Sequence, residues 1–139
     1  MAVEDEVRQA SEQFYAALNS MLNGDSGPMM EVGSHGSDAS AMHPFGSRSL
    51  GWEEVRAGWE QAAQAFSGGQ VTLDEMAVVP ISEDAAYTLG TEHGQASIGE
   101  ETVGIEWRVT NIYHREDGGW KIVHHHTDFS SEVAQALGM

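Results

Sequence analysis

The stretch from Val103 to Asp128 constrains this chain more than any other. Its two arms, Val103 to Arg115 and Trp120 to Asp128, are rich in β-branched and aromatic residues, which pack well on a pleated surface. Asp117-Gly118-Gly119 lies between them and tolerates positive φ, so a tight reversal costs little there. The pattern is that of a β-hairpin. Side chains alternate along a strand, so Trp120, Ile122, His124 and His126 should share one face, with Lys121, Val123 and His125 on the other. If the turn sets Arg115 opposite Trp120, Asn111 faces His124 and Val109 faces His126. A one-residue bulge instead brings Thr110 and Arg108 to that histidine face. Both registers stay open, and both put imidazoles beside polar partners on strands that line a core or cavity.

Composition narrows the classes of function. The chain has 139 residues, enough for one domain with its own core, and we read 1–139 as a single domain. Cysteine is absent, which removes disulfides and thiol chemistry. A formal net charge of −16 argues against nucleic acid and anionic membranes, which need clustered Lys and Arg. No apolar run is long enough to span a bilayer, and residues 1–10 are charged rather than signal-like, so a cytoplasmic location is expected.

The remaining segments have clear periods. Val7, Ala10, Phe14, Ala17, Leu18 and Met21 recur at helical spacing and predict a helix over 4–23, ended by Gly24. Asp25 or Ser26 can cap a short second helix with Pro28 in its first turn. Residues 34–49 read as a Gly/Ser-rich loop, with a short edge strand over Ala39–Met42. Trp52, Val55, Trp59, Ala62, Ala63 and Phe66 predict a third helix, stopped by Ser67-Gly68-Gly69. From Gln70 the period becomes two. One strand closes at Pro80, a second runs from Ala85 to His93 with a turn near Gly94 or Gly99-Glu100, and the hairpin follows. Ser130 or Ser131 can cap a C-terminal turn. Helices followed by a strand meander give an α+β fold, with helices packed on one face of a strongly curved antiparallel sheet, a cone-shaped barrel with room for a small ligand.

Several of these segments resemble the nuclear-transport-factor-2-like superfamily. They are Phe14-Tyr15-Ala16-Ala17-Leu18-Asn19, Gly24-Asp25, Pro44-Phe45-Gly46, Gly51-Trp52, Arg108-Val109-Thr110 and the run from Gly119 to His126. The resemblance is closest to its SnoaL-like branch, which is also similar to the association domain of calcium/calmodulin-dependent kinase II. It implies a cone-shaped barrel, a homodimer formed through the outer sheet face, and a pocket inside the cone. It also implies ketosteroid-isomerase-like or cyclase-like chemistry from a pocket carboxylate, for which Asp38 and Glu106 are the candidates.

Histidine, present seven times, suggests a different actor. With an unperturbed pKa of about 6.5, imidazole moves protons near neutral pH. His126 or His124, oriented by Asn111, Thr110 or Asp38, could take a proton beside a carbonyl, with Arg108 or Tyr113 stabilising negative charge. Catalytic candidates are therefore His126, His124, Asp38 and Arg108. Ligand-binding candidates are Tyr15, His35, His43, Phe45, Trp59, Thr110, Asn111 and Tyr113. The expected ligand is a small, mostly apolar carbonyl compound, handled without a cofactor. A non-catalytic binding or assembly module is the alternative, with Ile112, Val123 and either Val103 or Ile105 forming an apolar outer patch. A second alternative is a metal site on His124 and His126, completed by His35 or another donor within about 2.0–2.2 Å of one point.

Overall fold

The computed structural model describes residues 2–117 and 119–139. Gly118, in the expected hairpin turn, lies outside the described residues. The element order is α1 (Val3–Met21), α2 (Gly27–Val32), β1 (Ser40–Met42), β2 (Arg48–Leu50), α3 (Trp52–Ala65), β3 (Phe66–Pro80), β4 (Ala85–Ile98), β5 (Glu101–Glu116), β6 (Gly119–Thr127) and α4 (Ser131–Ala136).

The helices follow their apolar stripes. In α1, Val7, Phe14 and Ala17 are almost wholly buried, and Glu4, Asp5 and Glu6 occupy the first turn, where negative charge suits the helix dipole. Gly24 closes α1 at φ +96°. In α3, Val55, Trp59, Ala62 and Ala63 form the buried stripe. α3 then passes directly into β3 at Phe66, so Ser67 to Gly69 lie within the strand rather than in a loop. In α4, the Ser130 hydroxyl accepts from Val133 N at 3.3 Å, as a capping serine does.

Six strands form one sheet in the order β2-β1-β6-β5-β4-β3. β1 is not the edge. It pairs in parallel with β6 and antiparallel with β2, and β2 lies in the segment read from sequence as loop. β2 and β3 are the free ends, so the sheet curls around the helices without closing. β3 departs from register between Ser67 and Gln70 and between Asp74 and Ala77, where Glu75 has φ +56°. Such bulges bend and twist a strand, which is what wrapping a helix requires.

β4 runs through Gly94 to Ile98, and the turn falls at Gly99-Glu100. Gly94 is needed for packing. A Cβ there would stand 1.9 Å from the Gln70 carbonyl oxygen on the neighbouring strand. At Gly104 on β5 an added Cβ meets nothing within 4 Å. Gly94→Ala should therefore lower stability by about 2–4 kcal/mol, in the range of backbone-displacing overpacking. Gly104→Ala should leave the urea midpoint almost unchanged. Equal midpoints for the two variants would show that the β3–β4 approach does not limit the fold.

Candidate active site

The hairpin register decides which histidine enters the core. Arg115 pairs with Trp120 and Tyr113 with Ile122, but beyond that point the register slips, and Ile112 pairs with His124, Asn111 with His125 and Thr110 with His126. Val123 is the extra residue. The bulge inverts the expected faces: Ile122, His125 and Thr127 are buried, while His126 is exposed.

His125 is 4 % exposed and sits among aromatic rings, with Phe14 at 5.2 Å and Trp59 at 5.5 Å between centroids. Its Nδ1 lies 2.6 Å from Asn111 Oδ1. From Asn111 a chain of hydrogen bonds crosses the core. Asn111 Nδ2 donates to the Tyr15 hydroxyl at 3.0 Å, and that hydroxyl donates to Glu92 Oε2 at 2.8 Å. The other carboxylate oxygen of Glu92 accepts from Trp107 Nε1 at 2.7 Å. The directions fix the imidazole. Because the amide nitrogen is spent on Tyr15, the amide oxygen faces His125, so Nδ1 carries the proton and Nε2 keeps its lone pair. Nε2 makes no hydrogen bond among the described residues.

Glu92, His125, His43 and Thr127 bring polarity to an otherwise apolar cavity walled by Leu18, Phe45, Trp59, Phe66, Ile105 and Trp107. The cavity offers about 40 Å³ to water centres, room for about three waters at ~10–15 Å³ each.

Burial controls the charges here. Glu92 is 2 % exposed. Burial pushes its carboxyl up to about 7, against the pull of the Trp107 and Tyr15 hydrogen bonds toward the ionised form. Burial also pushes His43 down to about 4 and holds His125 well below the ordinary imidazole range, assisted by the proximity of His43. Both rings are neutral at pH 7. His43 Nε2 is enclosed without a partner among the described residues and lies against the α3 backbone, since a Cβ on Gly58 would stand 3.4 Å from it. Burial raises Tyr15 and Tyr113 above the usual phenol range, and the Tyr113 hydroxyl is enclosed without a hydrogen bond among the described residues.

The sequence candidates divide between two places. Tyr15 and Asn111 belong to the polar chain, Tyr113 is buried beside it, and His43, Phe45 and Trp59 line the cavity. His124 and His126 stand on the outer sheet face, corrected from the inner one by the bulge, with ring centroids 5.8 Å apart. His124 Nδ1 lies 2.6 Å from Ser40 Oγ, and burial lowers its pKa. Thr110 pairs with His126 on the same outer face. Arg108 is 84 % exposed and forms a two-point ion pair with Asp128 at 2.9 and 3.0 Å, so it is not in the cavity. Asp38 and Glu106 are exposed. His35 stacks on Trp52 at 4.0 Å and lies 2.6 Å from the Met30 carbonyl oxygen. Val103 and Ile105 face the core rather than the outer patch. Among the described residues no three His, Cys, Asp or Glu side chains converge as a metal site.

Sequence reasoning missed His125, Glu92 and Trp107 as site residues. Glu92 had a signal. It is the one acid on a β4 face otherwise made of Ala86, Thr88, Gly90, Gly94, Ala96 and Ile98, and an acid on a small, apolar strand face is either misassigned or functional.

This fold matches a known domain type. The model of the SnoaL-like domain matches residues 7–130, and the chain belongs to that family. Its architecture is that of the nuclear-transport-factor-2-like superfamily. A proposed dehydratase of that superfamily from Streptomyces avermitilis superposes with a TM-score of 0.79 at 24% identity, over 91% of this chain and 95% of that one. A superfamily protein from Salmonella enterica gives 0.79 at 19% identity, over 93% and 92%. A proposed calcium/calmodulin-dependent kinase type II association domain from Thiobacillus denitrificans gives 0.64 at 27% identity, over 89% and 94%. No curated protein matches the chain.

The raised carboxyl is directly measurable. In ¹³C-glutamate-labelled protein, the Glu92 resonance should titrate with a midpoint near 7 rather than the usual 4.5. Tyr15→Phe removes a donor that favours the ionised form, so its midpoint should move higher still. The raised folded pKa of Glu92 contributes its stability fully below about 4.5, and the contribution is lost as pH rises through about 7. A Glu92 midpoint below 5 would show that the carboxyl is not desolvated.

Proposed function

We propose that the protein is an acid–base enzyme of the isomerase or dehydratase kind, acting on a small, mostly apolar carbonyl compound, with His125 as the proton acceptor. The observation that carries this reading is the Asn111–His125 contact of 2.6 Å, which leaves a neutral imidazole with its Nε2 lone pair free beside a cavity. A general base needs the neutral form and a lone pair that the substrate can reach. A carbon-bound proton next to a carbonyl is the group such a base removes, and apolar walls favour a ligand with little charge. The net charge of −16 disfavours anionic substrates. The role first assigned to His126 and His124 passes to His125, since the bulge exchanges their faces.

A pure binding module would need no titratable groups in its pocket, and this one is lined by Glu92 and His125. The reading includes a homodimer through the outer sheet face. There Tyr87 pairs with Ile112 and Leu89 with Thr110, and none of these positions or the neighbouring His124 and His126 is acidic. Interface cores are depleted of charge in this way. No helix among the described residues is long and apolar enough to cross a membrane, and a cytoplasmic location is part of the proposal.

Cyclopentanone in D₂O at pH 8 is a suitable probe, with α-proton exchange followed by ¹H NMR. Wild type should accelerate exchange over buffer. His125→Ala should lose at least about 100-fold, the lower end of what a positioned base contributes, while retaining its circular dichroism spectrum. His126→Ala should keep full activity. Exchange unaffected by His125→Ala would remove the assignment. For the assembly, sedimentation should give two chains per particle, and Ile112→Glu should give one.

A further inference from the structure

The polar chain from Trp107 to His125 has a direction, and that direction can reverse. In the arrangement described, every hydrogen bond points toward Glu92: from Trp107 and Tyr15 directly, and from Asn111 through Tyr15. Suppose Glu92 gains a proton. Its Oε1 is already opposite an indole N–H, which can only donate. Its other hydrogen-bond partner is the Tyr15 oxygen, 2.8 Å from Oε2. A carboxyl proton aimed elsewhere would be a buried donor without an acceptor, which costs about 1–3 kcal/mol. The proton therefore belongs on Oε2, donated to Tyr15.

The consequence runs down the chain. A Tyr15 oxygen that accepts from Glu92 sends its own proton to Asn111, its other hydrogen-bond partner among the described residues. It needs an acceptor there, so the amide turns over and presents Oδ1 to Tyr15 and Nδ2 to His125. An N–H now faces His125 Nδ1, which must hold a lone pair, and the ring proton moves to Nε2. Each heavy atom keeps its place, because an amide flip exchanges two atoms of nearly equal size. The balance is one proton gained by Glu92 from solvent and one relocated from Nδ1 to Nε2 of an imidazole that stays neutral.

We infer that Tyr15 and Asn111 are positioning residues that make the protonation of Glu92 select which nitrogen of His125 carries the proton. With Glu92 ionised, His125 offers the cavity a lone pair and acts as a base. With Glu92 protonated, it offers an N–H and acts as a donor. One imidazole then serves both halves of a proton-transfer reaction. The inference rests on the proposed role of His125 for its use, but not for its geometry. The groups around the chain are consistent with it. Glu92 is faced by Tyr15 from α1 and by Trp107 and Tyr113 from β5, and His125 is faced by His43 from the loop after β1 and by the neighbouring His124 and His126. None of these is a lysine, arginine or second acid that would hold Glu92 in one state across neutral pH.

The test is the tautomer itself. In ¹⁵N-histidine-labelled protein, two-bond ¹H–¹⁵N correlations distinguish Nδ1–H from Nε2–H, and the His125 signals are those lost in His125→Gln. Above the Glu92 midpoint, near 7, His125 should be protonated at Nδ1, and below it at Nε2, with one shared midpoint. Asn111→Leu leaves Glu92 its two donors but breaks the link, so Glu92 should still titrate while the His125 tautomer stays constant. In wild type the cyclopentanone exchange rate should fall about tenfold from pH 8 to pH 6, as a single group with a midpoint near 7 requires. A wild-type tautomer that stays constant through the Glu92 titration overturns the inference, even if His125 proves to be the base. A tautomer that switches in a protein whose exchange ignores His125→Ala would instead overturn the enzyme reading alone.

Discussion

The extra residue in β6 is the feature on which the site depends. By absorbing Val123, the strand steps out of phase between Ile122 and His125 and turns one imidazole into the core instead of two. Without the step, His124 and His126 would both point inward at the Asn111 end of the cavity. Each would need a hydrogen-bond partner away from water, and leaving a buried polar group unpaired costs roughly 1–3 kcal/mol. The chain supplies one core amide at that depth, Asn111, which is fully buried. One amide can orient one imidazole. The bulge matches the number of buried histidines on β6 to the partners available, and it sends the others to a face where His124 meets the Ser40 hydroxyl.

Glu92 is the complementary constraint. An isolated carboxylate in an apolar core is strongly disfavoured, yet this one is retained by two donors, Trp107 and Tyr15, that favour its charge. Burial outweighs the hydrogen bonds and lifts its pKa to about 7, and the two donors keep it from rising further. The same bonds tie α1 to the sheet, since Tyr15 is on the helix and Glu92, Trp107 and Asn111 are on β4 and β5. The polar chain thus fixes how α1 seats on the sheet, a specificity that apolar packing of Phe14 and Leu18 alone would leave looser.

Much of the fold was legible because its signals are local. The α1 and α3 stripes, the glycine after α1, the serine cap of α4 and the hairpin all follow from period and turn chemistry over a few residues. What failed was long-range. β2 is three residues long and exists because β1 offers it an edge, while β1 exists because β6 does. The passage of α3 straight into β3 depends on β4 being there to pair with Phe66 and Ser67. At the site, the cavity walls Trp59 and Phe45 and the chain members Tyr15 and Asn111 could be read from residue type and face. His125 could not, because a bulge carries no composition of its own: Ile-Val-His-His-His reads equally well in either phase. The acid that matters was visible as an odd residue on its strand, but only once the inner face of β4 was settled.

A site of this kind trades stability for poise. An apolar side chain at Glu92 would spare the desolvation of a carboxyl that is partly ionised at neutral pH, and a leucine in place of His125 would fill the same space among Phe14 and Trp59. The chain instead carries two titratable groups at opposite ends of one hydrogen-bond path, each shifted by burial away from its ordinary value and toward the other's. Two buried groups shifted in this way differ in kind from structural ion pairs, whose members are charged and opposite in sign. Arg108 and Asp128 illustrate the second kind: exposed, doubly hydrogen-bonded, and each held in its charged form by the other. Glu92 and His125 never meet and share no charge. What joins them is the direction of the hydrogen bonds through Tyr15 and Asn111, both of them buried.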